Sequence, residues 1–188
     1  MKVMYMRVIA GKAKGRKLRA PAGSIVRPTS DKVKGAVFNV LAQLCPLDIS
    51  FLDLFAGSGA MGIEAWSRGA TRVAFVEKDR RAYQTLRANL QTVGYADALI
   101  FFSEWQSALR NLHGELFDVV YADPPFAAGL YPIILESIVE YGVLKSSGIL
   151  CIEHPSRLQL TYENDWSLLK PKRYGDTAVT FLTPGKSN

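Results

Sequence analysis

Cysteine and histidine are scarce in this 188-residue chain, with two of each. Cys45 and Cys151 are far apart and sit in apolar surroundings. That rules out a disulfide framework and reads as two buried free thiols in a reducing compartment, the cytoplasm. No Cys/His cluster has metal-ligand spacing, so no metal is expected. No apolar run approaches the roughly 20 residues that a membrane span needs. The opening MKVMYM is too short, and too soon followed by Arg7, to act as a signal peptide. Acids are almost missing from the first 34 positions, where Asp31 stands alone against ten lysines and arginines. That segment carries +9 and the remainder −3, within a formal net charge of +6. A basic arm on a mildly acidic body points to a polyanionic partner engaged from one end.

The apolar share of 48% is ample for one packed domain. We divide the chain into a basic N-terminal β-hairpin arm and loop, residues 1–28, and a body, residues 29–188. Within the arm, residues 7–20 read as two short strands around a Gly/Lys turn, followed by loop. An arm of this kind should be removable, through about residue 20, with the body's fold largely intact. Ser30 caps a helix to about Leu44, with Val33, Val37, Val40 and Leu44 on one face. From Phe51 onward, strand and helix alternate. Strands are expected at residues 51–55, 72–77, 98–102, 117–122 and 149–153. Helices are expected at 60–68, from the Asp79 cap to Gly94, up to Leu112, and near 131–141. Residues 166–170 and 178–182 read as a closing hairpin. The alternation specifies an α/β fold with an open, mostly parallel sheet and right-handed crossovers.

Two motifs carry the chemistry. In DLFAGSG, residues 53–59, a strand runs into a glycine turn and then a helix. Gly57 and Gly59 let the backbone approach a ligand closely, and the helix behind them presents unpaired N–H groups to an anion such as a carboxylate. Asp53 lies at the strand end, where it organises the loop or meets an amino group. Glu77 ends the next strand eighteen residues after Gly59, the spacing at which a carboxylate receives ribose hydroxyls. No lysine follows the glycines, so the loop does not suit a triphosphate and suits the cationic sulfonium of S-adenosylmethionine. Phe55 and Lys78 flank this cradle. Glu104, after the third strand, is a candidate acceptor for an adenine amine and reads equally well as a helix-cap acid.

The second motif, DPPF, follows Asp53 by seventy residues and ends another apolar run. An aromatic amine is a poor nucleophile because its lone pair is delocalised. Acceptors on its hydrogens, Asp123 and the Pro124 carbonyl, hold it in the attacking form. Pro124 and Pro125 fix the backbone, and Phe126 offers a ring for a base to stack on. Asp123, Pro124, Pro125 and Phe126 are therefore the candidate catalytic group. His154 reads as a satisfied strand-end histidine, and His113 as a solvent-facing turn residue. RYGDT, residues 173–177, has no role assignable from its residues.

Taken together, RVIAGKAKGRKL from Arg7, RPTSDKVKGAVFNVL from Arg27, DLFAGSGAMGIEAWSRGA from Asp53, VEKD from Val76, DPPF and RYGDT resemble the bacterial 16S ribosomal RNA guanine-N2 methyltransferases, the RsmD family. The likeness spans almost the whole chain. It implies a class I (Rossmann-like) S-adenosylmethionine-dependent methyltransferase fold with seven strands, the last antiparallel. It implies a methyl donor held at Gly57, Gly59 and Glu77, and a guanine amine placed at residues 123–126. It also implies a 16S rRNA partner, within the small subunit or an assembly intermediate, met by a cytoplasmic monomer. Arg7, Lys12, Lys14, Arg16, Lys17, Arg19 and Arg27 are the candidate RNA contacts. Phe126 stands where many members carry tyrosine, and Ser103-Glu104-Trp105 replaces a more usual Gly-Asp-Ala. A DNA or other RNA amino-methyltransferase acting on adenine N6 or cytosine N4, and a non-catalytic RNA-binding assembly factor, are the competing readings.

Overall fold

The structure, a computed structural model, describes residues 5–20, 31–46, 48–126, 129–163 and 165–185. Seven strands form one sheet in the order β5-β4-β3-β6-β7-β9-β8. The central strand β3 (Ser50–Asp53) pairs in parallel with β4 (Arg72–Glu77) on one side and β6 (Phe117–Ala122) on the other. Beyond β4 lies β5 (Leu99–Phe102), and beyond β6 lies β7 (Leu144–Pro155), both parallel. Only β9 (Thr177–Pro184) runs against its neighbours, between β7 and β8 (Trp166–Tyr174). This is the seven-stranded arrangement expected, last strand antiparallel. β7 begins five residues earlier than expected, because Leu144 joins the sheet ahead of a polar Lys-Ser-Ser stretch.

Buried parallel strands need cover on both faces. On one face α1 (Asp31–Leu44), α2 (Ala60–Arg68) and α3 (Arg80–Val93) pack over Phe51, Phe75, Val119 and Tyr121. On the other, α4 (Trp105–Asn111) and α5 (Leu130–Glu140) pack over Leu52, Ala74, Val120 and Leu150. The ends of α2 and α3 fall where the sequence marks them, and the Ser30 cap expected for α1 lies outside the described residues. Asp79 caps α3 by accepting from the Ala82 N–H at 2.8 Å, and Gly94 closes it in the left-handed conformation. Strand order reverses between β3 and β6, so the carboxyl ends of the strands open there into a crevice.

The N-terminal arm is a two-stranded antiparallel hairpin, β1 (Tyr5–Arg7) with β2 (Lys17–Arg19). The arm–body boundary expected at residue 28 lies outside the described residues. The expectation that the arm is detachable fails on packing. Met6, Val8, Ala13 and Leu18 are buried in the same core cluster as α1 and α2. Glu64 of α2 has no exposed surface and accepts the N–H groups of Ile9 at 2.7 Å and Ala10 at 3.0 Å. Arg68 Nε binds the same carboxylate at 2.7 Å, and Lys34 Nζ approaches it at 3.7 Å while donating to the Arg7 carbonyl at 2.6 Å. Burial lowers the pKa of Lys34, and Glu64 and then Asp31 oppose that shift. Gly11 lies flat on α2 with φ +81°, where a Cβ would fall 1.7 Å from the Ser67 carbonyl oxygen.

Replacing Glu64 with alanine strands Lys34 as a buried charge and leaves two arm N–H groups unpaired. The expected loss is about 3–5 kcal/mol of unfolding free energy. Urea titration giving a loss under about 1 kcal/mol would remove Glu64 as the anchor of the arm.

Candidate active site

Strand register assembles the site. Asp53 lies beside Phe75 of β4 and Tyr121 of β6, and Ala122 lies beside Ile152 of β7. Glu77, Asp123 and Glu153 therefore emerge together at the carboxyl edge, with the glycine loop between them. Asp53, at 1% exposure, turns inward and accepts the Gly62 N–H of α2 at 3.0 Å. It thus ties the strand end to the first turn of the helix. Burial, with a smaller push from Glu77, raises its pKa to about 7 against the opposing Gly62 bond.

Glu77 closes the glycine loop from the neighbouring strand. Its two oxygens accept the Gly57 N–H and the Asp79 N–H, each at 2.7 Å. Each oxygen keeps a lone pair for a guest hydroxyl. A Cβ built on Gly57 meets nothing within 4 Å, whereas one on Gly59 would strike Leu86 Cδ1 at 2.3 Å. Gly57 thus opens toward a ligand and Gly59 toward the core. Phe55 is half-buried against Trp105, with ring centroids 6.1 Å apart. Lys78 and Glu104, both exposed, pair at 3.3 Å across the ends of β4 and β5. Glu104 occupies the N-cap position of α4 without a side-chain cap bond, which leaves its carboxylate at the rim. Next to it the Ser103 hydroxyl is buried with no hydrogen-bond partner among the described residues. An unpaired buried hydroxyl beside an open glycine turn and a strand-end carboxylate fits a nucleoside-bearing guest.

On the transfer side, Asp123 follows β6. Burial raises its pKa well above the usual carboxylate range, and the charges of Glu153 and Asp53 push it further. Pro124 is buried, Pro125 is exposed, and Phe126 is 59% exposed. A ring left open to water beside a half-buried carboxyl is positioned to stack on an incoming planar group.

The sequence reading missed three groups here. Tyr121 donates to Glu153 Oε2 at 2.5 Å within the sheet. Tyr131, in the first turn of α5, is 5% exposed, and its hydroxyl has no partner among the described residues. Burial, then Asp123 and Glu153, push its pKa up to about 12, so it stays a neutral donor. The available signal was position: Glu153 ends the strand beside DPPF, and Tyr131 opens the helix after it. His154 is satisfied as expected, with Nδ1 at 3.0 Å from the Pro155 carbonyl and Nε2 at 2.8 Å from Thr180 Oγ1. RYGDT forms the β8–β9 turn beside Pro155, where Arg173 donates to the Ser156 carbonyl.

The basic side chains of the arm differ in their contacts. Lys14, Arg16, Lys17 and Arg19 are exposed on the arm. Arg7 is turned to Asp31 at 2.9 Å, and Lys12 Nζ sits 3.9 Å above the Trp66 ring. Arg27 lies outside the described residues. Among the described residues no group of three or more His, Cys, Asp or Glu is placed to hold a metal ion, and no helix is long and apolar enough to cross a membrane.

An open sheet in this order, with a glycine turn and a strand-end carboxyl at the switch point, is the class I methyltransferase fold. A family model described as "Conserved hypothetical protein 95" matches residues 6–183. The chain is 36% identical over 174 residues to ribosomal RNA small subunit methyltransferase D of Escherichia coli K12, covering 92% of this chain and 87% of that one. It belongs to that family, the RsmD family. A solved structure of a hypothetical protein from Thermus thermophilus superposes with TM-score 0.82 at 32% identity, covering 94% of this chain and 98% of that one. At 14% identity, a chain described as complexed with SAH shares the fold alone, with TM-score 0.66 over 79% of this chain and 48% of that one.

Asp53→Asn keeps an acceptor for the Gly62 N–H and removes the ionisation. An acid whose pKa is raised on folding stabilises the protein below its unfolded pKa and loses that contribution as pH rises through the folded value. Relative to wild type, the variant should therefore gain stability between pH ~4 and ~7, by on the order of 3 kcal/mol. Parallel melting curves across that range would show the Asp53 carboxylate to be comfortably ionised in the fold.

Proposed function

We propose that this methyltransferase moves a methyl group from S-adenosylmethionine to the exocyclic N2 amine of a guanine in 16S rRNA. The rRNA would be met in the small subunit or an assembly intermediate, by a cytoplasmic monomer. One observation carries the reading. A half-buried carboxyl, Asp123, and an exposed ring, Phe126, share a sheet edge with a glycine turn that opens at Gly57 and is closed by Glu77.

The donor, when bound, supplies an electrophilic methyl on a sulfonium. Glu77 and the Ser103 hydroxyl would hold its nucleoside, and the N–H groups behind Gly59 its carboxylate. Lys78 and Glu104 sit at the rim of that site, and Phe55 at its wall. Asp53 and Glu77 contribute negative charge that favours a cation over the neutral product. Asp123 accepts an amine hydrogen and favours the pyramidal nitrogen, and Phe126 stacks on the base. Pro124 and Pro125 keep that segment rigid, with the Pro124 carbonyl as the second acceptor. Tyr131 places a neutral hydroxyl beside the amine. Lys14, Arg16, Lys17 and Arg19, with Arg7, Lys12 and Arg27, would bind phosphates and orient the RNA without reading its sequence. The family's named member, an rRNA small subunit methyltransferase, supports the choice of substrate.

Small ribosomal subunits treated with enzyme and labelled donor, then digested to nucleosides, should yield N2-methylguanosine. Label on adenine or cytosine would move the reaction to a different amine, and no label at all would leave a binding protein. Asp123→Ala should lower turnover by about 100-fold or more while donor affinity stays within about twofold, because the contact belongs to the transition state. Phe126→Ala should lose roughly 1–3 kcal/mol of stacking, and Phe126→Tyr little. Equal activity of all three would make Phe126 a surface residue only.

A further inference from the structure

The arm and the glycine loop meet in one side chain. Asn89 of α3 is 1% exposed. Its Oδ1 accepts the backbone N–H of Arg19 at 2.8 Å, and its Nδ2 donates to the Arg19 carbonyl at 2.9 Å and to the Ser58 carbonyl at 2.9 Å. Both amide hydrogens are thereby used. Arg19 ends strand β2 of the arm, and Ser58 stands between Gly57 and Gly59. A second, weaker contact runs alongside, Ser58 Oγ to Met6 Sδ at 3.9 Å, and Met6 pairs with Leu18 in the hairpin.

The bond to Ser58 is buried, the two to Arg19 are part-buried, and the Asn89 side chain is enclosed, so water cannot replace its lost partners cheaply. A shift of the Ser58 carbonyl must be followed by the Asn89 amide or leave polar groups unpaired. The amide cannot move without pulling both backbone groups of Arg19. The loop end of this chain of contacts is the part a donor would fix, and the other end carries the exposed Lys17 and Arg19.

We propose that Asn89 is a positioning residue that couples the two sites, so that a donor-loaded loop presents an ordered arm and strengthens RNA binding. Donor binding holds the Ser58 carbonyl and, through Asn89, the Arg19 backbone in the position that RNA meets, so RNA then binds an arm end already fixed. Linkage requires the reverse effect to be of the same size. This rests on the reading of the loop as the donor site and the arm as the RNA contact.

The test uses wild-type protein, S-adenosylhomocysteine and small ribosomal subunits. Saturating S-adenosylhomocysteine should tighten subunit binding by about fivefold or more, and subunits should tighten S-adenosylhomocysteine by the same factor. In Asn89→Ala that factor should fall to within about twofold of unity, although each ligand still binds. A direct readout needs neither variant nor RNA. S-adenosylhomocysteine alone should slow hydrogen exchange at the Arg19 N–H, whose partner is Asn89. Unchanged exchange there, wild-type affinities that ignore the other ligand, or a variant that keeps the full factor would each overturn the coupling. Reversing the charge of Lys14 and Arg16 separates the underlying reading. If that leaves subunit binding unaffected, the arm is not the RNA contact, and the exchange measurement still decides the link between loop and arm.

Discussion

The parallel register of β3 against β4 and β6 is the constraint on which the site depends. Leu52 lies between Ala74 and Val120 and faces the layer of α4 and α5. Asp53 lies between Phe75 and Tyr121 and faces α2. A slip of one residue would exchange these faces. It would drive a carboxylate into the apolar layer and part Asp53 from the Gly62 N–H. The bulky residues on both sides hold the register because every neighbour is buried. The chemistry at the edge is therefore fixed by the hydrophobic core behind it.

Helix α2 serves two masters within nine residues. Its first turn holds Asp53 through Gly62 and begins at the glycine loop. Its middle holds the arm through Glu64 and Ser67, which accepts the Ala13 N–H on its hydroxyl at 2.9 Å. Burying Glu64 with Lys34 and Arg68 is a poor source of net stability. What the arrangement supplies is a single seat for the arm, because a displaced hairpin would take the Ile9 and Ala10 N–H groups from Glu64 and the Arg7 carbonyl from Lys34.

Much of this was legible in the sequence, for reasons visible in single residues. Asp79 and Gly94 bracket α3, and apolar runs that end in Asp53, Glu77 and Asp123 announced three strand ends at one edge. The resemblance drawn from DLFAGSG, DPPF and the two basic blocks held at the level of the family. Charged residues that point inward were not legible. Lys34 and Glu64 have the composition of a solvated helix face, and only packing against the arm reveals that both are buried. The arm looked detachable for the same reason. Its alternation of basic and small residues advertises the charged side and conceals Val8 and Leu18. Tyr131, Ser103 and Asn89 carry no motif. Their importance lies in which backbone groups or carboxyls they meet across the sheet, and no local pattern encodes that.

The place of β9 has a consequence for how the molecule is made. It separates β7 from β8, although both precede it in the chain. During synthesis those two strands would emerge with facing edges that must not pair with each other, since the gap belongs to a segment not yet available. The Pro-bearing, strongly basic β8, with Lys170, Pro171, Lys172 and Arg173, is a poor partner for closing that gap prematurely. Thr180, which holds His154, arrives on the same late strand. The β9 side of the sheet is thus completed after the glycine-loop side, and a nascent chain would possess the Gly57 turn and its Glu77 closure before the sheet edge beyond β7 was finished.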